Sequence, residues 1–228
     1  MFKDRVNALW RDNKGFVLFL GLMFVFRSAV ADWNHVPSSS MNPSLVAGDR
    51  VLVNKLAYSL RLPFTLQHLV RWDQPHRGDV ITFDSPAEDV NLIKRVVAVP
   101  GDVVAMRDNQ LVLNGHPVPR DLVAARREIP TESGMLSAEV WREQLDGRSF
   151  EVARLPELNH LTAFGPVTVP EGHVLVLGDS RDNSKDSRYL GFIDMQRITG
   201  RAVRVVLSHD LAAYYLPRGD RWWKPLNG

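Results

Sequence analysis

From about residue 50 onward, short apolar runs alternate with charged and small residues at a period of two, and Gly-Asp, Asn-Gly and Pro-Gly pairs interrupt them. Side chains alternate across a strand, so this spacing predicts half-buried β-strands. The predicted strands are Arg50–Asn54, Asp79–Phe83, Asn91–Val99, Asp102–Met106, Gln110–Leu113, His173–Leu177 and Arg201–Leu207. Asn114-Gly115 and Pro100-Gly101-Asp102 are predicted tight reversals. Leu56–Leu62 and Ser137–Leu145 read as short helices. The stretch from Arg120 to Pro166 is polar and weakly periodic, which predicts an irregular insertion into the core. Many short strands with turn punctuation predict a mainly β fold, an antiparallel barrel or sandwich.

The N-terminal stretch follows a different pattern. Lys3, Arg5, Arg11 and Lys14 precede an unbroken apolar run from Gly15 to Phe26, which ends at Arg27. A run of about 12 is short for a spanning helix, which needs about 20 residues. Arg27 can snorkel, however, and Ser28 to Val30 extend the tolerable stretch. The same residues, with Ala29-Val30-Ala31, also describe a cleavable secretory signal. Both readings carry the rest of the chain across a membrane, with the basic flank left inside.

Composition narrows the classes. The 228 residues suffice for one substantial core, and 45% hydrophobic with 24% charged is an ordinary globular balance. The formal charge of +2 is spread over strands and turns, without the basic stripe of a nucleic-acid binder. Cysteine is absent, which excludes disulfides, thiol catalysis and cysteine-ligated zinc.

Three segments carry candidate chemistry. Val36 to Leu45 sets consecutive serines between prolines, either as a linker or as a rigid turn that exposes one hydroxyl and aims backbone N–H groups at an oxyanion. In the predicted strand around Lys94, alternation places Lys94 with Val90, Leu92, Val96 and Ala98. Such a lysine either snorkels at a sheet rim or is desolvated, and only the desolvated amine can take a proton from a serine near neutral pH. The third segment, Gly178 to Phe192, is dense in carboxylates, arginines and hydroxyls. Arg181 at a ligand position, with no closing Glu, rejects a calcium loop, so a solvated loop or an internal polar network remains.

Together these segments resemble the bacterial type I signal peptidases, the Ser-Lys protease family S26. The resemblance rests on Pro37-Ser38-Ser39-Ser40-Met41-Asn42-Pro43-Ser44-Leu45, on Gly48-Asp49-Arg50, on Gly78-Asp79 with Leu92-Ile93-Lys94-Arg95 and Pro100-Gly101-Asp102, and on Gly178 to Gly191. It implies Ser40 as nucleophile, Lys94 as general base, and an oxyanion hole from the Ser40 N–H and the Ser38 hydroxyl. It also implies that Ser184 orients the Lys94 amine and that Asp186 braces the strand by pairing with Arg188 and Arg95. Val36, Met41, Leu45 and Ile93 would line a substrate pocket for small residues. Ser39 stands where the family commonly has Gly. The implied fold is an antiparallel β core with a variable cap and one N-terminal membrane helix. Its divisions would be a cytoplasmic 1–14, an anchor 15–31, a catalytic core of 32–104 with 171–216, a hairpin and cap 105–170, and a tail 217–228. The implied partners are signal peptides of exported preproteins and the lipid bilayer, with no nucleic acid and no cofactor or metal. The implied site of action is the outer, periplasmic face of the bacterial inner membrane, reached by a single pass.

Overall fold

The structure is a computed structural model that describes residues 2–65, 67–158, 161–211 and 213–226, with side chains from residue 13. The chain opens with helix α1 (Phe2–Ala29), and β1 (Ala31–His35) follows after the single residue Val30. The apolar belt of α1 faces outward, with Phe16, Leu18, Phe19, Leu22, Phe24 and Phe26 all more than half exposed. Among the described residues, no helix is long and apolar enough to cross a membrane.

The core is one curled antiparallel sheet. It is built from β1, β2 (Asp49–Asn54), β5 (Val80–Asp84), β6 (Asn91–Ala98), β14 (His173–Leu177), β15 (Ile193–Asp194) and β16 (Ile198–Asp210), in the order β1-β2-β16-β5-β6-β14-β15. A short β17 (Leu216–Pro217) extends β16. Apolar clusters form on both sides of this sheet. One holds Ile81, Phe83, Val96, Val174 and Val176, another Val97, Val104, Leu111, Phe150 and Leu177. Central strands buried on both faces account for β5 and β6, whose alternation fades into continuous burial.

Smaller sheets hang on this core. β3 (Ser59–Arg61) and β4 (His68–Arg71) form a hairpin; β7 (Val103–Arg107), β8 (Gln110–Leu113), β9 (His116–Pro117) and β13 (Phe164–Thr168) form a four-stranded sheet. Both predicted reversals fall at turns, and all seven predicted strands are present within a few residues.

Three expectations fail here. Leu56–Leu62 is a turn leading into β3. Residues 120–154 are regular: β10 (Arg120–Thr131), β11 (Gly134–Leu145) and β12 (Arg148–Arg154) form a three-stranded antiparallel sheet. Ser137–Leu145 therefore lies in a strand, not a helix. Buried positions in β11 run Ala138, Val140, Glu143 and Leu145. The phase of two slips between Val140 and Glu143, and one inward residue is a carboxylate, which disguises the strand as a polar helical pattern.

Candidate active site

The register of β6 fixes the first group. Lys94 pairs with Ile81 of β5, and Arg95 pairs with Val80 on one side and Leu177 of β14 on the other. Both cations are thus held in the middle of the sheet. Lys94 is 2% exposed and Arg95 is 1% exposed.

The segment after β1 arches over Lys94. Val36 N–H donates to Asp49 O, Asn42 N–H to Ser39 O at 2.9 Å and Leu45 N–H to Met41 O, which makes a compact turn around Ser40. Val36, Met41 and Leu45 are buried with Val51, Val80, Ala202 and Val205, and Ile93 packs against them. The four expected pocket residues therefore share one cluster. Met41 and Leu45 are wholly buried and Val36 nearly so, so these three belong to the core, and of the four only Ile93 keeps appreciable exposed surface.

This turn sets the Ser40 hydroxyl against the Lys94 amine. Lys94 Nζ donates to Ser40 Oγ at 2.7 Å and to Ile93 O at 2.9 Å. Ser38 Oγ lies 3.2 Å from Ser40 Oγ. Among the described residues no hydrogen bond occupies the Ser40 N–H, which leaves it available to an incoming oxygen. Among the described residues no carboxylate touches the amine. Burial drives the Lys94 pKa down from the ordinary 10.5 to about 8, against the opposing pull of Asp186, Asp179 and Glu132. A lysine in this state is substantially neutral in mildly alkaline solution and has a lone pair to receive a proton.

The loop after β14 supplies the frame. Ser180 N–H donates to Ser40 O at 3.1 Å, which ties the two loops together. Asp186 caps the short helix α2 (Ser187–Leu190), accepts Gly178 N–H at 3.0 Å and takes a two-pronged pair from Arg188. The expected Asp186–Arg188 pair is there. The expected pair between Asp186 and Arg95 is not: Arg95 grips Asp179 through two bonds of 2.8 and 2.7 Å, and also donates to Gly78 O. Asp186 is already committed to Arg188 and Gly178, and Asp179 directly follows Gly178 at the end of β14, on the flank where Leu177 pairs with Arg95.

Ser184 also departs from expectation. Among the described residues its buried hydroxyl has no hydrogen-bond partner, and the amine spends its bonds on Ser40 and Ile93. Ser184 instead packs against Gly178, where any Cβ would strike both the Ser184 side chain and the Ser40 carbonyl. Gly178 is thus a contact point of the two loops, and its place in a Gly-Asp pair after a strand was the available signal.

Sequence reasoning missed two anchors from the inserted sheet. β12 bonds along the loop, with Ala153 N–H donating to Asp179 O and Arg181 N–H to Ala153 O. Arg181 and Glu143 of β11 form a buried ion pair. The second anchor is Glu132, in the turn between β10 and β11, whose carboxylate accepts from Ser39 and Asn183. No cluster of possible metal ligands occurs among the described residues.

Comparison with known proteins is consistent across the chain. The profile of the family described as "Signal peptidase, peptidase S26" matches residues 10–207. A protein named signal peptidase I from Pseudomonas fluorescens is 38% identical over 208 residues, covering 86% of this chain and 72% of that one. Its namesake from Pseudomonas aeruginosa is 36% identical over the same shares. One from Bacillus licheniformis is 30% identical over 198 residues, covering 86% of this chain and 88% of its own.

Proposed function

The chain belongs to the peptidase S26 family of signal peptidases, and we propose that it is a serine endopeptidase that removes signal peptides by means of Ser40 and Lys94. The observation that carries the residue assignment is the 2.7 Å approach of a buried, carboxylate-free lysine amine to a serine hydroxyl.

The chemistry follows from that pair. Neutral Lys94 Nζ takes the Ser40 hydroxyl proton as Oγ bonds to the scissile carbonyl carbon, and the carbonyl electron pair moves onto its oxygen. The Ser40 N–H and the Ser38 hydroxyl donate to that oxyanion. Collapse breaks the C–N bond, and the leaving amine of the mature chain takes the proton back from Lys94. Lys94 then takes a proton from water as its oxygen bonds to the acyl carbon, and on collapse returns that proton to Ser40 Oγ, which frees the signal peptide and restores the pair. Ile93, half-buried over the core residues Val36, Met41 and Leu45, would border a shallow site next to the cut and so favour small side chains there. Asp186 with Arg188, and separately Asp179 with Arg95, hold the frame. Ser184 bears on the amine only through the packing of its loop.

Helix α1 serves as a membrane anchor in this reading. Its 28 residues extend about 42 Å, and the apolar belt from Gly15 to Phe26 covers about 18 Å of that. The belt falls short of the ~30 Å hydrocarbon core, and the long side chain of Arg27 at one end and Lys14 at the other can reach towards the headgroups. The basic N-terminal flank orients the chain with residues 1–14 inside and the catalytic core outside the cytoplasmic membrane.

The test is a preprotein panel offered to the full chain in detergent. Cleavage after Ala-x-Ala, loss with Phe or Leu at either small position and tolerance between them are expected, because overpacking a shallow site costs about 1–3 kcal/mol or more. Equal cleavage of bulky and small residues would defeat the reading.

A further inference from the structure

The residue beside the nucleophile is held from outside the catalytic core. Ser39 is 3% exposed, and both its donors go to one carboxylate: its N–H to Glu132 Oε1 at 2.8 Å and its hydroxyl to Glu132 Oε2 at 2.6 Å. Asn183, next to Ser184, closes the ring by donating to Ser39 Oγ at 2.6 Å and to Glu132 Oε2 at 2.9 Å. Two residues earlier, at the end of β10, Pro130 O accepts from the buried Asn42 side chain at 2.7 Å. The β10–β11 hairpin thus clasps both loops that meet at Ser40, reaching 93 residues back to Ser39 and 51 residues on to Asn183.

We propose that Glu132 is a positioning residue for peptide-bond cleavage: by fixing Ser39 and Asn183 together, it sets the Ser40 N–H and hydroxyl relative to Lys94. The inference rests on the Ser40–Lys94 reading above. A carboxylate suits the task because it alone accepts from all three donors, and a Gly at position 39 would remove the hydroxyl arm. Glu132 itself is solvent-facing, so its replacement leaves no buried void. Burial opposes its ionisation, yet the bonds from Ser39 and Asn183 outweigh this and hold its pKa at about 2, so the clasp stays charged at every working pH. The same charge, with those of Asp186 and Asp179 from the loop after β14, raises the pKa of the Lys94 amine against the effect of its burial.

The experiment is Glu132→Gln in the full chain, with Glu132→Asp, Ser39→Ala and Ser40→Ala in parallel, assayed on a preprotein ending in Ala-x-Ala. The expected result for Glu132→Gln is a kcat lowered about 10- to 100-fold by misalignment, with KM little changed. Loss of the negative charge should also move the acid limb of kcat/KM to lower pH. Glu132→Asp should recover part of kcat and restore the limb. Glu132→Gln and Ser39→Ala should combine less than additively. Wild-type kcat in Glu132→Gln would overturn the proposal, and so would a loss of kcat explained by a lower Tm with the acid limb unmoved. Activity surviving in Ser40→Ala would instead overturn the reading on which the proposal rests.

Discussion

Lys94 and Arg95 are neighbours on β6, equally deep, yet the two faces of the strand answer their charges in opposite ways. On the Arg95 face the guanidinium meets Asp179 in a two-pronged pair, donates to Gly78 O and lies 3.9 Å from the Phe150 ring centroid. On the Lys94 face the amine meets a hydroxyl and a carbonyl, with the carboxylates held at a distance. Arginine cannot shed its proton in a protein, so it must be neutralised by a partner; lysine can shed its own. The contrast separates a cation that holds the sheet from one that, in the proposed mechanism, does chemistry, and it depends on where Asp179 is aimed.

The contrast breaks most sharply if the lysine is made permanent. Lys94→Arg keeps the charge and removes the lone pair, so cleavage should fall by at least about 10⁴-fold, as for loss of a member of a catalytic unit. Ser40→Ala should match it, and the double variant should be no worse. The assay is preprotein cleavage with circular dichroism to show that the fold persists. Substantial turnover in Lys94→Arg would end the general-base assignment.

Breaking the other face should damage the fold first. Arg95→Leu strands Asp179 as a buried, unpaired carboxylate, and removal of one partner of such a pair costs about 3–5 kcal/mol. Urea midpoints would read this, and Arg95→Leu with Asp179→Leu should recover much of it. A stable Arg95→Leu single variant would show that the pair does not brace the strand.

A third change sharpens the comparison in the reverse direction. The folded pKa of Lys94 lies below its unfolded value, so the buried ammonium costs stability below about pH 8, and the cost fades as pH rises through the ordinary lysine value. Lys94→Met should therefore be inactive yet more stable by up to about 3 kcal/mol at pH 7. That advantage should shrink between pH 8 and 10.5. Thermal melts across this range check it, and an advantage that grows with pH would contradict the sign. In the active protein, kcat/KM should rise with pH through a limb near 8.

The sequence made one face legible and hid most of the other. Alternation along β6 placed Lys94 and Arg95 on opposite sides, and the Ser40 turn and the loop after β14 stood out as polar runs beside apolar strands. Which aspartate meets Arg95 depends on how the loop turns after Gly178, and no spacing rule carries that. Ser184 was expected to hold the amine because the family resemblance implied it; the amine bonds to Ser40 and Ile93 instead, and among the described residues that hydroxyl has no partner. The sheet of β10 to β12 was illegible because its inward positions include Glu143 and its exposed ones mix apolar Leu122 and Met135 with charged Asp121, Arg126, Glu128 and Arg142, which blurs the alternation. Its anchors on the site join residues more than twenty positions apart, beyond the reach of any local pattern.

The junction between α1 and β1 has a consequence for where cutting can occur. Val30 alone separates the two, and it is held from both sides, by its own N–H to Phe26 O and by Lys55 N–H to its carbonyl. Lys55 Nζ donates to Arg27 O, Phe64 N–H to Ser28 Oγ, and Arg27 pairs with Asp32. There is no swivel here. The five residues of β1 then act as a ruler about 16 Å long between the helix end and the Ser40 turn. Under the proposed anchoring by α1, this junction would fix how far Ser40 stands from the bilayer, and the distance from a signal's apolar core to its cleavage point would become a length the protein measures.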